Sequence, residues 1–285
     1  MRVALTIAGS DSSAGAGIQA DLKTFAAHGV FGVTAVTAVT SQNTTGVMTT
    51  EAVPSDLVAS QIETVFSDMG VHAAKTGMLA NAAIVEAVAA AVVDLEIPFL
   101  VVDPVIKASS GDLLLDDEGL LAMKKELMSR AHAVTPNIPE AEMLSGLTIG
   151  TEQDLREAAR RILKLGPAYV VITGSHAPAR WGPASRGPSD RIVDLVYDGE
   201  VFTEFAHQRV PGRHTHGTGC AFSASLAAQL ALGRSLYEAV PSAQAFVAGA
   251  IRHAPGLGRG TGPINHFWRL DQGGQGEAGG RGGKG

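Results

Sequence analysis

The strongest constraint on the fold is an alternation. Short aliphatic, largely β-branched runs occur at Val3–Ala8, Gly32–Val39, Phe99–Asp103, Ala133–Thr135 and Tyr169–Thr173. Most are apolar throughout, as strands buried on both faces must be. Between them lie stretches with helical spacing, at Ile18–Ala27, Ser55–Met69, Asn81–Asp94, Asp116–Ser129 and Thr151–Leu165. Strand following helix following strand predicts a mainly parallel sheet with helices on both faces, an α/β/α three-layer sandwich. The segment RIVDLVYDGEVFTEF departs from the pattern, because Asp198-Gly199 sits between two alternating runs. That is the mark of a hairpin and predicts an antiparallel edge. Two further helices are predicted at Gly217–Leu232 and Leu236–His253.

A chain of 285 residues with 45% hydrophobic residues has enough apolar material for one large α/β core. We expect one domain over residues 1–270 and a flexible glycine-rich tail over 271–285, where no apolar period persists. Ala177–Asp190, rich in proline, glycine and serine, is expected to be a loop or flap. A net charge of -6 gives no reason to expect nucleic acid or an acidic membrane as partner. The apolar run Ala83–Pro104 is interrupted by Glu86, Asp94, Glu96 and Pro98, which is too broken to span a bilayer. With one cysteine, no intramolecular disulfide can form. A cytoplasmic protein is expected.

Several polar clusters follow the predicted strands. In AGSDSSAGAGIQADL, Gly15-x-Gly17-x-x-Ala20 loosely matches a dinucleotide fingerprint. The glycines come late if the strand ends near Ala8, and the next strand ends in VTSQN without an acid for a ribose hydroxyl. A loop closing over a small polar ligand fits better, with Asp11 and Asp21 near its ends. Alternatively, the glycines only allow the turn and Asp11 caps it. Ser41, Gln42 and Asn43 are expected at a strand's carboxyl end, where ligands bind in open parallel sheets. The Gln42 amide, donor and acceptor together, suits a heterocycle with an amino group beside a ring nitrogen. An ordinary polar turn accounts for the stretch equally well. Asp103, in DPVIKASSG, would orient a metal-bound water or phosphates, or else cap its loop. In TPNIPEAE, Glu140 complements a positive helix end, and an acid there would also hold Mg²⁺ through water.

Gly217-Thr218-Gly219 stands before a predicted helix. Its free backbone N–H groups and the helix dipole make an anion site, which phosphoryl transfer needs. No Walker loop G-x-x-x-x-G-K-[ST] occurs. Cys220 falls in the first turn, where a helix start lowers a thiol's pKa. Against that stands the common case of a free cysteine packed as a small hydrophobe. His214 and His216 belong to the preceding loop. CxxC, HExxH and G-x-S-x-G are all missing, which disfavours structural zinc and a serine hydrolase of that type.

Taken in order, AGSDSSAGAGIQADLKT, TSQNT, KTGML, DPV, TPNIPEAE and HTHGTGC resemble the hydroxymethylpyrimidine/phosphomethylpyrimidine kinases of thiamine biosynthesis, of the ribokinase-like superfamily. The resemblance runs to about residue 255. It implies a homodimeric α/β/α sandwich that moves the γ-phosphate of Mg-ATP onto the hydroxymethyl group of 4-amino-5-hydroxymethyl-2-methylpyrimidine. A second phosphorylation then gives the diphosphate. By position it implies that Gln42 holds the pyrimidine edge, with Gly9, Ala16, Asp21, Met78 and Val105 around the ring. Asn137 and Glu140 would face the nucleotide and its magnesium, while Asp103, from its place at a strand end, is a second candidate acid for the metal through water. Thr173 and Gly174 would lie near the phosphates, and Gly217, Thr218 and Gly219 would form the anion hole. Cys220 takes the place of the aspartate base of sugar kinases. The chain departs from the family pattern at Ala14, usually glycine, and at Ser109, where lysine or threonine is common. Thr173 stands where many members have lysine, and Lys107, where an apolar residue is usual, would supply that charge to ATP. A pyridoxal or pyridoxine kinase of the same superfamily is the near alternative, with TSQNT favouring the pyrimidine. A non-catalytic pyrimidine sensor is more distant.

Overall fold

The computed structural model describes residues 1–108, 111–174 and 191–273. The predicted loop at Ala177–Asp190 and nearly all of the predicted tail lie outside the described residues.

Six parallel strands form the centre of one sheet. In spatial order they are β2 (Phe31–Asn43), β1 (Val3–Asp11), β4 (Ala73–Thr76), β5 (Leu100–Val102), β6 (Ala133–Val134) and β7 (Tyr169–Ile172). Antiparallel strands flank both sides: β3 (Gly46–Ala52) beside β2, and the hairpin of β8 (Arg191–Tyr197) and β9 (Phe202–Gln208) beside β7. The predicted hairpin turn is formed as expected, with Asp198 Oδ1 accepting from the N–H groups of Glu200 and Val201.

Helices cover both faces. On one lie α2 (Ser55–Met69), α3 (Ala82–Asp94), α4 (Asp117–Ala122), α5 (Ile138–Ser145) and α6 (Glu152–Leu163); on the other, α1 (Gly17–Ala27), α7 (Thr218–Ala231) and α8 (Leu236–Arg252). A short α9 (Trp268–Gly273) follows. Successive strand residues serve opposite layers: Ala74 and Val102 join the first core, Ala73 and Val101 the second. Each fully buried Leu, Ile or Val contributes about 1.5–3 kcal/mol. The second layer is built from small residues. Ala4, Ala73 and Ala133 of the strands share a core with the alanine-rich α7, and every residue of that helix from Ala221 to Ala231 is buried. Small side chains on both surfaces bring α7 down onto the sheet, so its first turn arrives at the strands' carboxyl ends.

Several elements differ from expectation, β4 among them, which no predicted run covers. β1 runs to Asp11 and not to Ala8, so the glycines follow the strand more closely than their spacing implied. β2 continues to Asn43 and turns directly into β3, a largely exposed edge strand whose polar residues hid it. The helix predicted at Asp116–Ser129 begins as expected, with Asp116 capping the Gly119 N–H, but relaxes into a π turn over Met123–Leu127 and a 3-10 turn over Met128–Arg130.

Candidate active site

The strands β1, β4, β5, β6 and β7 end along one edge of the sheet, and a cavity of about 160 Å³ opens there beside the first turn of α7. Its floor and walls come from strand ends, and its rim from the loop after β1.

Asp11, the last residue of β1, organises that loop. Its carboxylate accepts from Ser13 N–H and Oγ–H at 2.8 Å, Gly15 N–H at 3.2 Å, Ala16 N–H at 2.8 Å and His216 Nε2 at 2.8 Å. Burial alone would raise its pKa, but the bonds from His216, Ser13 and Ala16 outweigh that and hold it at about 2. Gly17 follows with φ +59°, and a Cβ there would lie 2.4 Å from the Gly9 carbonyl oxygen. Ser12 Oγ binds both the N–H and the C=O of Gln42 at 2.8 Å, which ties the loop to the end of β2.

Beneath the cavity lies an ionic core. Lys75 of β4 is wholly buried, with its Nζ 3.0 Å from Asp21 Oδ2, 3.1 Å from Asp21 Oδ1 and 3.8 Å from Asp103 Oδ2. Burial opposes the lysine charge, but Asp21 and its neighbours prevail and raise its pKa, so the ammonium stays charged. Thr6 donates to Asp21 at 2.6 Å and Ser223 to Asp103 at 2.9 Å.

On the β6 side, Asn137 and Glu140 form a capping box at the start of α5. Glu140 Oε2 accepts from Asn137 N–H at 2.9 Å, and Asn137 Oδ1 accepts from Glu140 N–H at 3.0 Å. The capping reading of Glu140 is therefore correct, and the same carboxyl also lines the cavity. Burial and then the charge of Asp103 push its pKa up to about 8. Among the described residues no group of three or more His, Cys, Asp or Glu is placed to hold a metal. Mg²⁺ needs only one or two carboxylates when phosphates and waters complete its shell. The crowding of Asp103 and Glu140 is surplus negative charge of the kind a divalent cation relieves, so these residues fit Mg²⁺.

Gly217 caps α7 at φ +86°, a left-handed conformation suited to glycine, and a Cβ there would fall 1.9 Å from the Gly15 carbonyl oxygen. No side chain caps the helix; the Thr218 N–H donates to the Thr215 carbonyl at 3.3 Å, and the Gly219 and Cys220 amides remain available to an anion. Cys220 is partly accessible and lines the cavity. Its thiol departs from the expected lowering. Burial weighs most, Asp21 and Asp103 add to it against Lys75, and together they push the thiol up to about 12. The helix start is outweighed by a site that already holds two buried carboxylates.

A second cavity of about 440 Å³ lies on the far side of the α7 first turn, lined by residues of β8, β9 and α8 with the Arg209–Gly212 segment. Thr173, Thr218, Gly219 and Phe222 line both cavities. The two spaces therefore meet at the start of α7.

Of the residues singled out in the sequence, Gly9, Ala16, Gln42, Met78, Asp103, Val105, Lys107, Asn137, Glu140, Thr173, Gly217, Thr218, Gly219 and Cys220 all line the first cavity. Two do not. Asp21 sits below it and reaches the site through Lys75, and Gly174 turns away, its N–H bonded to Asp194 Oδ1 at 2.8 Å. Lys107 starts a narrow bridge to Leu113 on the wall of the first cavity and does not line the second. Sequence reasoning gave no role to Lys75, His216 or Thr40, although the motifs KTGML and HTHGTGC contain the first two, and of the second cavity it reached only Thr173, Thr218 and Gly219.

A sequence model of a family described as phosphomethylpyrimidine kinase matches residues 11–265. The hydroxymethylpyrimidine/phosphomethylpyrimidine kinase of Bacillus subtilis is 44% identical over 264 residues, covering 93% of this chain and 94% of the relative. Among solved structures, the ADP complex of Bacillus subtilis pyridoxal kinase superposes with a TM-score of 0.83 at 38% identity, covering 95% of this chain and 99% of that one. The phosphomethylpyrimidine kinase of Clostridium difficile gives 0.76 at 37%, covering 88% of this chain and all of the other.

Proposed function

The chain belongs to the phosphomethylpyrimidine kinase family, and on that premise we propose that it transfers the γ-phosphoryl group of ATP to the hydroxymethyl group of 4-amino-5-hydroxymethyl-2-methylpyrimidine and then to the monophosphate. The observation that carries this reading is the pair of cavities joined at Thr173, Thr218, Gly219 and Phe222. An acceptor in the first and a nucleotide in the second would meet at the uncapped start of α7.

In this reading Gln42 holds the ring, with Gly9, Ala16, Met78 and Val105 around it, while Thr173, at the junction of the cavities, contacts the nucleotide phosphates, and Asn137 and Lys107 face the transferring phosphoryl group from the wall of the first cavity. The amides of Gly219 and Cys220 stabilise charge on the moving phosphoryl oxygens, at no cost in reorganisation because the helix already presents them. Asp103 and Glu140 would hold Mg²⁺, which would supply charge neutralisation on the phosphates. The acceptor oxygen forms its bond to phosphorus as the bond to the ADP oxygen breaks. In a loose transition state the hydroxyl proton leaves late, to solvent. A neutral Cys220 thiol then orients the hydroxyl without having to ionise first. The homodimer implied by the resemblance and the cytoplasmic location expected from the sequence belong to the same proposal.

Pyridoxal kinase is the second reading, favoured by the solved structures of that description. Mass analysis of the products from the pyrimidine alcohol and Mg-ATP tests the proposal. One phosphoryl group gained per ADP released, then a second, is expected. An unmodified alcohol would overturn it.

A further inference from the structure

The Gln42 side chain is held by neighbours whose proton inventories leave little freedom. His216 Nε2 is 3.4 Å from Gln42 Nε2 and 2.8 Å from Asp11 Oδ2. Thr40 Oγ1 is 3.3 Å from Gln42 Oε1 and 3.0 Å from the Ser10 carbonyl oxygen. A half-turn of the terminal torsion exchanges the amide oxygen and nitrogen, so the neighbours decide which atom faces which side. Asp11, accepting from four other donors, is ionised and has no proton to give. The hydrogen between it and His216 is therefore carried by Nε2, which leaves that nitrogen no lone pair for an amide N–H. Thr40 has one hydroxyl hydrogen. The Ser10 carbonyl can only accept it and is the nearer oxygen, at 3.0 Å against 3.3 Å, so the hydrogen points there and toward Gln42 the hydroxyl is an acceptor. Both neighbours select the rotated amide, with oxygen toward His216 and NH₂ toward Thr40. The backbone at Gln42 is fixed as well, by both bonds to Ser12.

We propose that His216, held by Asp11, and Thr40, held by Ser10, are positioning residues that lock the polarity of the Gln42 amide, and that this lock makes the site select a 4-amino ring over its 4-oxo counterpart. The inference rests on the proposed function. A 4-aminopyrimidine offers a donor beside an acceptor, which matches one fixed amide. The 4-oxo ring offers an acceptor beside an N–H donor and requires the amide to turn over, leaving His216 and Thr40 mispaired. Substituting either neighbour frees the amide to serve both rings.

The test is the ratio of kcat/KM for 4-amino-5-hydroxymethyl-2-methylpyrimidine to that for its 4-oxo analogue. Wild type is expected to favour the amino ring by roughly 100-fold, the scale of two mispaired buried groups. In His216→Leu and in Thr40→Val the ratio is expected to fall about tenfold each, while Thr40→Ser, which keeps the hydroxyl, preserves it. A general loss of structure lowers both substrates together and leaves the ratio unmoved. Should His216→Leu not fold, Thr40→Val decides. An unchanged ratio in active Thr40→Val overturns the lock. Wild type inactive on the amino ring would instead overturn the function on which the lock rests.

Discussion

Lys75 Nζ lies 3.0 Å from Asp21 Oδ2, and both side chains are wholly excluded from solvent. With Asp103 at 3.8 Å, one ammonium holds two carboxylates beneath the cavity. Removing it leaves both acids buried without a cation, at a cost of about 3–5 kcal/mol for a broken buried pair. Lys75→Met is expected to lose that much in urea unfolding, and Lys75→Met/Asp21→Asn to recover part of it. A loss in Lys75→Met below about 1 kcal/mol would show that water reaches the cluster.

The two glycines of GTG should behave oppositely. Gly217→Ala forces a Cβ onto the Gly15 carbonyl at a left-handed φ and is expected to cost about 2–4 kcal/mol. A Cβ at Gly219 meets nothing within 4 Å, so Gly219→Ala should fold normally and gain up to about 1 kcal/mol from better helix propensity. Because Gly219 lines both cavities, the same methyl is expected to raise the KM for ATP by roughly tenfold or more. Thermal unfolding and ATP kinetics on the two variants separate the effects.

Acid should loosen the loop after β1. The native pKa of Asp11, at about 2, lies below its ordinary value of 3.8. The stabilisation is therefore complete above pH 4 and is lost as pH falls toward 2. Allowing for solvent at the loop, it amounts to about 1–2 kcal/mol. The stability gap between wild type and Asp11→Asn should narrow over that window. A gap constant down to pH 3 contradicts the assignment.

Cys220 is the only cysteine, so alkylation reports on it alone. With its thiol pushed up to about 12, reaction with iodoacetamide at pH 8 should run roughly 100-fold slower than for a free thiol and keep rising past pH 9. A plateau near pH 8 would mean that a thiolate exists in the resting site.

The parallel core was legible because strands buried on both faces announce themselves as unbroken aliphatic runs. β4 escaped because its four residues include a lysine, which only the buried acids around it make tolerable. β3 escaped because an exposed edge strand needs no apolar pattern. Most residues lining the first cavity follow strand ends, a position that can be inferred from sequence order. The second cavity is assembled from β8, β9 and α8, elements distant in sequence whose meeting no local pattern records. His216 was passed over for a related reason: its partner Asp11 lies 205 residues away.

The most direct test of the whole account compares acceptors. ADP release is followed with Mg-ATP and, side by side, the pyrimidine alcohol, its monophosphate and pyridoxal. The account predicts turnover of both pyrimidines with kcat/KM for the alcohol well above that for pyridoxal. Turnover of pyridoxal alone, or of none of the three, would contradict it.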